Sequence, residues 1–251
     1  MNKKTKIFGS VSLALLMGLG LAGCGVQPLF SNNFSKGNAG TFVASEGLIV
    51  DNADKTITIN KETDNSGANT VFKEAEKNFA WVDGGYVVTI SMKLNPADYE
   101  LGKGFTWSMA LNNSIKTTDE KYQYITEGFM HFRKYADGIR IAGVGGDGAD
   151  ESINASKTEN STAVISKAGT YAMSYKFYAN KADENKILID QKVVNVEENL
   201  EVYANNNVGL KDGTGADVKE SNIAGLRYAW LPFMSANSIT VNSITIFKNA
   251  K

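Results

Sequence analysis

The chain has 251 residues with a nearly balanced charge, 26 Lys and Arg against 27 Asp and Glu, for a formal net charge of −1. A nucleic-acid-binding protein is excluded on this ground, because no basic excess exists to neutralise phosphates. The single Cys and the single His exclude a structural zinc site and a disulfide framework. With hydrophobic residues at 43%, the bulk of the chain should fold.

The first 23 residues have the composition of a secretory signal peptide. Lys3, Lys4 and Lys6 precede an uncharged, mostly apolar stretch from Ile7 to Gly20. A transmembrane helix is the alternative, but it needs about 20 strongly apolar residues. This stretch is shorter and is interrupted by Gly and Ser. The pattern therefore predicts export from the cytoplasm.

The next four residues, Leu21-Ala22-Gly23-Cys24, resemble the lipobox of bacterial lipoproteins. In that family the Cys thiol receives a diacylglyceryl group and the signal peptide is cut just before it. The resemblance implies a lipid on Cys24 and a location at the extracytoplasmic face of the cell membrane. Two acyl chains suffice for stable anchoring, whereas one holds a protein only marginally. The alternative is an ordinary secretory signal followed by an unmodified Cys.

Residues 24–40 are rich in Gly, Ser and Asn, which favours a flexible tether between the lipidated Cys24 and a folded domain at 41–251. Removal of the signal peptide takes away three lysines and no acid, and no polybasic cluster follows Cys24. We therefore expect anchoring to rest on the lipid, with little help from surface charge.

The remainder of the chain alternates between apolar and polar residues with a period of two, which indicates half-buried strands. Turn sequences separate these segments, among them Asp83-Gly84-Gly85 and Asp137-Gly138. Helix signals are confined to short turns near Lys73–Asn78 and Pro96–Leu101. The predicted strands are Leu48–Val50, Thr56–Asn60, Asn69–Phe72, Tyr86–Leu94, Phe105–Leu111, Phe129–Tyr135, Ile139–Val144, Tyr171–Phe177, Lys186–Val194, Gly225–Leu231 and Ser238–Phe247.

About eleven strands without βαβ spacing predict an all-β protein, a single-domain antiparallel β-sandwich. The order of Tyr86–Leu94, Phe105–Met109, Gly169–Tyr175 and Ser238–Ile246 resembles the concanavalin A-like jelly roll, which includes laminin-G-like and legume-lectin-like domains. The resemblance concerns the rhythm of the strands over about Thr41 to Lys251 and carries no diagnostic motif. Tandem immunoglobulin-like domains are the main alternative.

A hairpin around Asp137-Gly138 is the first candidate ligand surface. Pairing of Ala136 with Ile139 would place Tyr135 opposite Arg140, and His131, Arg133, Tyr135 and Arg140 would share one face. The opposite face would carry Met130, Phe132, Ile139 and Ile141 in the core. Arg and Tyr offer planar donors and stacking surfaces that suit hydroxyl-rich or carboxylate-bearing sugars. The alternative is a solvated face whose long side chains cover apolar area.

Aromatic residues form the second candidate surface. Tyr228 and Trp230 share a face of their predicted strand and would make a platform for a sugar ring, although large aromatic side chains mostly fill cores. Trp107 lies on the more apolar side of its strand, which favours core packing.

Acidic residues in Gly-rich loops are the only candidate metal ligands. Asp147, Asp150 and Glu151 in one such loop, and Asp212 with Asp217 in another, would supply oxygen ligands to Ca²⁺, but neither set matches the spacing of an EF-hand, and ordinary turn acids are the alternative. No other cofactor is expected.

These features predict a lipid-anchored, extracytoplasmic module that binds a glycan or another polymer without transforming it. The alternatives are a glycoside hydrolase or lyase of the same fold, and a structural or adhesive surface protein. Glycoside hydrolysis needs two carboxylates across the sugar. Laminarinase-like families carry them as Glu-x-Asp-x-x-Glu, and the nearest segment here, Glu62 to Gly67, ends in Gly instead of the acid.

Overall fold

Antiparallel strands make up most of the computed structural model. The structure describes residues 27–36, 48–53, 56–61, 68–70, 79–81, 84–113, 125–145, 157–212, 215–231 and 238–249. Fifteen strands lie within these ranges: β1 Phe30–Asn32, β2 Leu48–Ala53, β3 Thr56–Lys61, β4 Ala68–Thr70, β5 Phe79–Ala80, β6 Tyr86–Leu94, β7 Gly104–Asn113, β8 Ile125–Tyr135, β9 Gly138–Gly145, β10 Val164–Ile165, β11 Gly169–Asn180, β12 Lys186–Asn195, β13 Leu200–Gly209, β14 Ile223–Leu231 and β15 Ser238–Lys248.

The strands form two sheets. The eight-stranded sheet has the order β13-β12-β11-β6-β15-β3-β2, with β1 also paired to β15. The seven-stranded sheet has the order β10-β9-β8-β7-β14-β4, with β5 also paired to β14. Consecutive strands pair as hairpins, but β6 lies beside β15 and β7 beside β14, so each sheet joins distant parts of the chain, as in a jelly roll and unlike two immunoglobulin-like domains in tandem. The predicted all-β antiparallel sandwich is confirmed.

The core lies between the sheets and follows the period-two alternation of the sequence. In β7, the side chains of Phe105, Trp107, Met109 and Leu111 are all buried, so the predicted core position of Trp107 is confirmed. In β8 and β9 the predicted core residues Met130, Phe132, Ile139 and Ile141 are at most 1% exposed.

Polar groups also link the two sheets inside the core. The Tyr175 hydroxyl of β11 donates to the Trp107 carbonyl of β7 at 2.8 Å. The Gln191 side chain of β12 donates through Nε2 to the carbonyls of Phe129 (2.7 Å) and Val144 (3.1 Å) in β8 and β9. Because buried polar groups are costly unless they are paired, these bonds fix how the sheets sit on one another.

The N-terminal segment corrects the tether predicted over residues 24–40. Phe30–Asn32 forms β1 and pairs with β15, with Phe30 opposite Ile246. Phe34 is 1% exposed and belongs to the core. Gly, Ser and Asn in this segment are compatible with a short strand because β15 supplies the hydrogen-bonding partner. This part of the predicted tether therefore belongs to the sandwich, while Cys24 and the predicted signal peptide lie outside the described residues.

Regular helix is confined to single turns in the described part of the chain. A 3₁₀ turn at Pro96–Asp98 lies where a short turn was predicted, and the Asn95 side chain accepts from the Ala97 N–H at its start. The turn predicted near Lys73–Asn78 lies outside the described residues. No helix of the described chain is long and apolar enough to cross a membrane.

Candidate functional site

The candidate site lies on the outer side of the seven-stranded sheet, which we call the front face. In β7 it carries Thr106 and Ser108, the positions that alternate with Trp107 and Met109 of the core. Register then places His131 opposite Thr106, and Arg133 of β8 opposite Arg140 of β9. Residues paired across antiparallel strands project from the same face, so the strands bring these side chains together.

The β8–β9 register differs from the predicted one, while the predicted face is retained. Tyr135 pairs with Gly138, so Ala136 and Asp137 form the two-residue turn and Arg140 lies opposite Arg133 instead of Tyr135. A type I′ turn at Asp137-Gly138 needs positive φ at both residues. Only Gly138 has it, with φ of 145°. The shift is by two residues, and an even shift leaves each side chain on its face.

His131 is buried on the front face, although the sequence predicted an exposed ligand-binding position. It is 3% exposed, and its Nδ1 lies 2.7 Å from the Thr106 hydroxyl. The Phe129 ring stacks beside it with the ring centroids 5.9 Å apart. Within the described part of the chain its other ring nitrogen, Nε2, is buried without a hydrogen-bond partner. Burial, together with the nearby charge of Lys157, lowers the pKa of His131 from 6.5 to about 3, so the ring is neutral at ordinary pH.

Arg140 is held at the edge of the front face by neighbours in the fold. Its guanidinium donates to both carboxylate oxygens of Asp137, the Nη2 bond measuring 3.0 Å, and to the backbone carbonyl of Glu159. It also lies 4.7 Å from the centroid of the Tyr135 ring. These contacts lower the pKa of Asp137 through the hydrogen bond from Arg140. Arg140 therefore orders the turn and positions Tyr135, with its charge largely compensated.

The segment 157–163 lies along β8 and β9 and closes one side of the front face. Thr158 is 1% exposed, and its hydroxyl lies 3.1 Å from that of Tyr135. Farther on, the Ser161 hydroxyl donates to the Ile141 carbonyl, and the Ile141 N–H donates to the Ala163 carbonyl at 3.1 Å. These bonds hold Lys157 close enough to affect the charge state of His131.

Two cations of the front face have no compensating partner within the described chain. Arg133 is half-buried and Lys157 is exposed, and the structure gives neither an ion pair nor a side-chain hydrogen bond there. The Arg133 guanidinium lies beside Gly102, where an ideal Cβ would be 3.9 Å from Nη2. Arg133 lies two residues from His131 on the same face of β8, and the charge of Lys157 acts on His131, so within the described chain this part of the face carries positive charge without an ion pair.

The two predicted platform residues occupy register positions of the same face. Trp230 of β14 pairs with Ser108 of β7, and Tyr228 pairs with Ala110. All six predicted ligand-binding positions, His131, Arg133, Tyr135, Arg140, Tyr228 and Trp230, thus belong to one side of one sheet.

The sequence analysis missed Thr106, Ser108 and Lys157. Thr106 and Ser108 carried a signal, because they alternate with the apolar residues of β7. Lys157 carried no such signal, because nothing in the sequence around it indicates that it lies near β8.

The acidic metal candidates stay predictions. Asp147, Asp150 and Glu151 lie outside the described residues. Among the residues that are described, no group of three or more His, Cys, Asp or Glu is placed to hold a metal ion.

Comparison with solved structures supports the same architecture. A carbohydrate recognition domain, that of Emp46p, matches with a TM-score of 0.54 and 10% identity, covering 90% of this chain and 100% of that one. A carbohydrate esterase from the Shiga toxin-encoding bacteriophage phi24B matches with a TM-score of 0.52 and 12% identity, covering 90% and 100%. The PL-14 alginate lyase of Aplysia kurodai matches with a TM-score of 0.51 and 8% identity, covering 88% and 99%.

At these identities the likeness concerns the fold alone. The chain has a jelly-roll β-sandwich of the kind found in lectin-like and lyase domains. No family model and no curated protein matches the sequence.

Proposed function

We propose that this protein is a lipid-anchored glycan-binding module whose front face takes a carboxylate-bearing polysaccharide. The observation that carries the proposal is that Arg133, two residues from the neutral His131 on the same face of β8, and Lys157, whose charge acts on His131, have no ion pair within the described chain. A charged guanidinium or ammonium without a partner in a partly covered surface gains most from a ligand anion. By strand register, positions 228 and 230 belong to the same face, and Tyr and Trp are residue types suited to stacking on sugar rings.

The structural likenesses support a carbohydrate ligand in a general way. One similar domain is described as a carbohydrate recognition domain, one as a carbohydrate esterase and one as an alginate lyase. The first favours binding. The other two favour the second candidate function, cleavage of a polysaccharide on the same face.

Binding is tested with polygalacturonate and its fully methyl-esterified form, which differ in the carboxylate charge. Isothermal titration on the purified protein should show that the acid form binds about tenfold or more tightly than the ester, a difference of about 1.4 kcal/mol. Arg133→Gln and Lys157→Gln should each weaken binding of the acid form by about tenfold, because a hydrogen bond to a charged group contributes about 1.5–3 kcal/mol.

Lys93→Gln is the matched control. It removes the same charge from an exposed position of β6 on the eight-stranded sheet, and should leave affinity unchanged. An equal loss in Lys93→Gln would mean that only overall charge matters. If the protein bound no polysaccharide on a glycan array, the binding function would be refuted and a structural or adhesive role would remain. Release of shortened sugars from a bound polymer would establish the enzymatic alternative.

The anchor is a separate part of the proposal and has its own test. Mass spectrometry of the N-terminal peptide should find a diacylglyceryl group on Cys24 and no residue before it. A Cys24→Ser variant should leave the membrane fraction. An unmodified thiol in the mature protein would refute the anchor without bearing on the glycan site. Binding measured with Ca²⁺ and with a chelator would test the acidic loop at 147–151 as a metal site.

A further inference from the structure

The direction of β1 shows at which end of the sandwich the chain enters. β1 runs antiparallel to β15, with Phe30 opposite Ile246 and Asn32 opposite Ile244. The Leu29 N–H donates to the Ile246 carbonyl at 2.8 Å. The residues before Leu29 therefore enter from the side where β15 ends, at Lys248. We call this side the anchor end.

Register places other elements at the anchor end. Lys248 pairs with Tyr86, the first residue of β6, and Tyr86 pairs with Phe177 near the end of β11. The turn at 181–185, between β11 and β12, follows directly. Lys181 in this turn and Lys248 are exposed, and neither has an ion pair within the described chain.

The β8–β9 turn lies at the opposite end, which we call the hairpin end. β6 runs from Tyr86 to Leu94, and Leu94 pairs with Gly169, the first residue of β11. The connection from β6 to β7 crosses to the other sheet there, and its Gly102 N–H donates to the Lys134 carbonyl, next to Arg133, at 2.9 Å. The twelve residues of β11 give a length of about 35 Å between the two ends.

The link between Cys24 and the sandwich is short compared with this length. Four residues separate Cys24 from Leu29. Even a fully extended chain covers at most about 18 Å over that distance. A lipid at Cys24 would therefore keep the anchor end at the bilayer surface, whereas a tether running through all of residues 24–40 would have let the domain turn freely.

We propose that the sandwich stands end-on on the membrane, with the anchor end against the phospholipid headgroups and the β8–β9 turn pointing away. The partner of the anchor end is the phosphate-bearing lipid surface, and Lys181 and Lys248 are the exposed cations at this end. Among the described lysines near this end, Lys186 pairs with Asp183 and Asp217, Lys211 with Asp217, and Lys219 with Glu184. This proposal rests on the lipidation of Cys24 proposed above.

Energy transfer to labelled lipid measures the orientation directly. Cys24 is the only Cys of the sequence, so in the lipidated protein an introduced Cys is the only free thiol. Lys181→Cys at the anchor end and Ala136→Cys at the hairpin end are both exposed turn positions. Each is labelled with a donor dye, and the full protein is reconstituted into vesicles whose headgroups carry an acceptor. Unchanged melting temperatures would confirm that both variants fold.

Strong transfer from position 181 and little from position 136 is the expected result. A Gly/Ser insert of about 20 residues after Gly25 adds a mean reach of about 25 Å and should reduce transfer from position 181. Equal transfer from both positions, or stronger transfer from 136, would overturn the end-on orientation. Protein that does not float with the vesicles would instead refute the lipid anchor, so failure of the two proposals is distinguishable.

Discussion

The neutral state of His131 makes a sharp prediction about stability and pH. His131 is buried with Nε2 unpaired, and its pKa is about 3 in the folded protein. In the unfolded chain an exposed His has a pKa of about 6.5. Below pH 6.5 the unfolded state therefore binds a proton that the native state does not bind. The stability contributed by the neutral ring is fully present above pH 6.5 and is lost as the pH falls toward 3.

The expected magnitude follows from these two pKa values. Between pH 7 and pH 5 the free energy of unfolding should fall by about 2 kcal/mol, approaching a slope of about 1.4 kcal/mol per pH unit. His131 is the only His in the sequence, so no other side chain has an ordinary pKa in this window. Asp137 and Asp217 are among the carboxylates whose pKa is lowered by their partners. Their contribution to the free energy of unfolding is lost only at lower pH, as they become protonated.

Urea denaturation at half-unit steps from pH 7.5 to pH 5 measures this dependence. The His131→Gln variant keeps a polar group near Thr106 but cannot titrate. It should show a change of less than about 0.5 kcal/mol over the same window, whatever its stability at pH 7. A flat profile in the parent protein, or the same slope in His131→Gln, would refute the neutral buried state.

Two further predictions concern the contacts between the sheets. Gly143→Ala should destabilise the fold by about 2–4 kcal/mol, through overpacking and displaced hydrogen bonds, because an ideal Cβ would lie 2.0 Å from Gln191 Oε1. Gly209→Ala, with open space around the added carbon, should stay within about 0.5 kcal/mol in the same urea experiment, and equal midpoints would contradict the reasoning. Tyr175→Phe removes the buried bond to the Trp107 carbonyl and should cost about 1 kcal/mol; an unchanged midpoint would show that this bond adds no net stability.

Strands with strict alternation could be predicted closely from the sequence. The predicted strand Tyr86–Leu94 has the same bounds as β6. β13 was missed although it is ten residues long, because Asn205, Asn206 and Asn207 disfavour a strand and its pattern of burial is weak. Pairing with β12 supplies what local propensity lacks. β1 was missed for a similar reason, since β15 provides its partner.

The face of each candidate residue could be predicted, but not its burial. Alternation placed His131 on the side opposite Met130, which is correct. It could not reveal that the Phe129 ring stacks beside His131, that the Thr106 hydroxyl bonds to it, or that the charge of Lys157 acts on it. Alternation reports only which side of a sheet a residue occupies, whereas burial depends on segments that pack on that side from elsewhere in the chain.

The anchor and the site together constrain the source of the ligand. In the proposed end-on orientation Arg133 lies near the hairpin end, about 35 Å of strand away from the lipid surface. Electrostatic attraction between exposed charges is screened over about 8 Å at physiological ionic strength, so phospholipid headgroups do not compete for these cations. We therefore expect the front face, in its proposed role, to bind an anionic polymer that lies beyond the membrane. Because the link to the proposed lipid is short, capture depends on the polymer reaching the protein. A longer linker should therefore increase the amount of polymer retained on vesicles. It should leave the affinity for the polymer in solution unchanged. A longer linker that also changed affinity in solution would refute the independence of the site and the anchor.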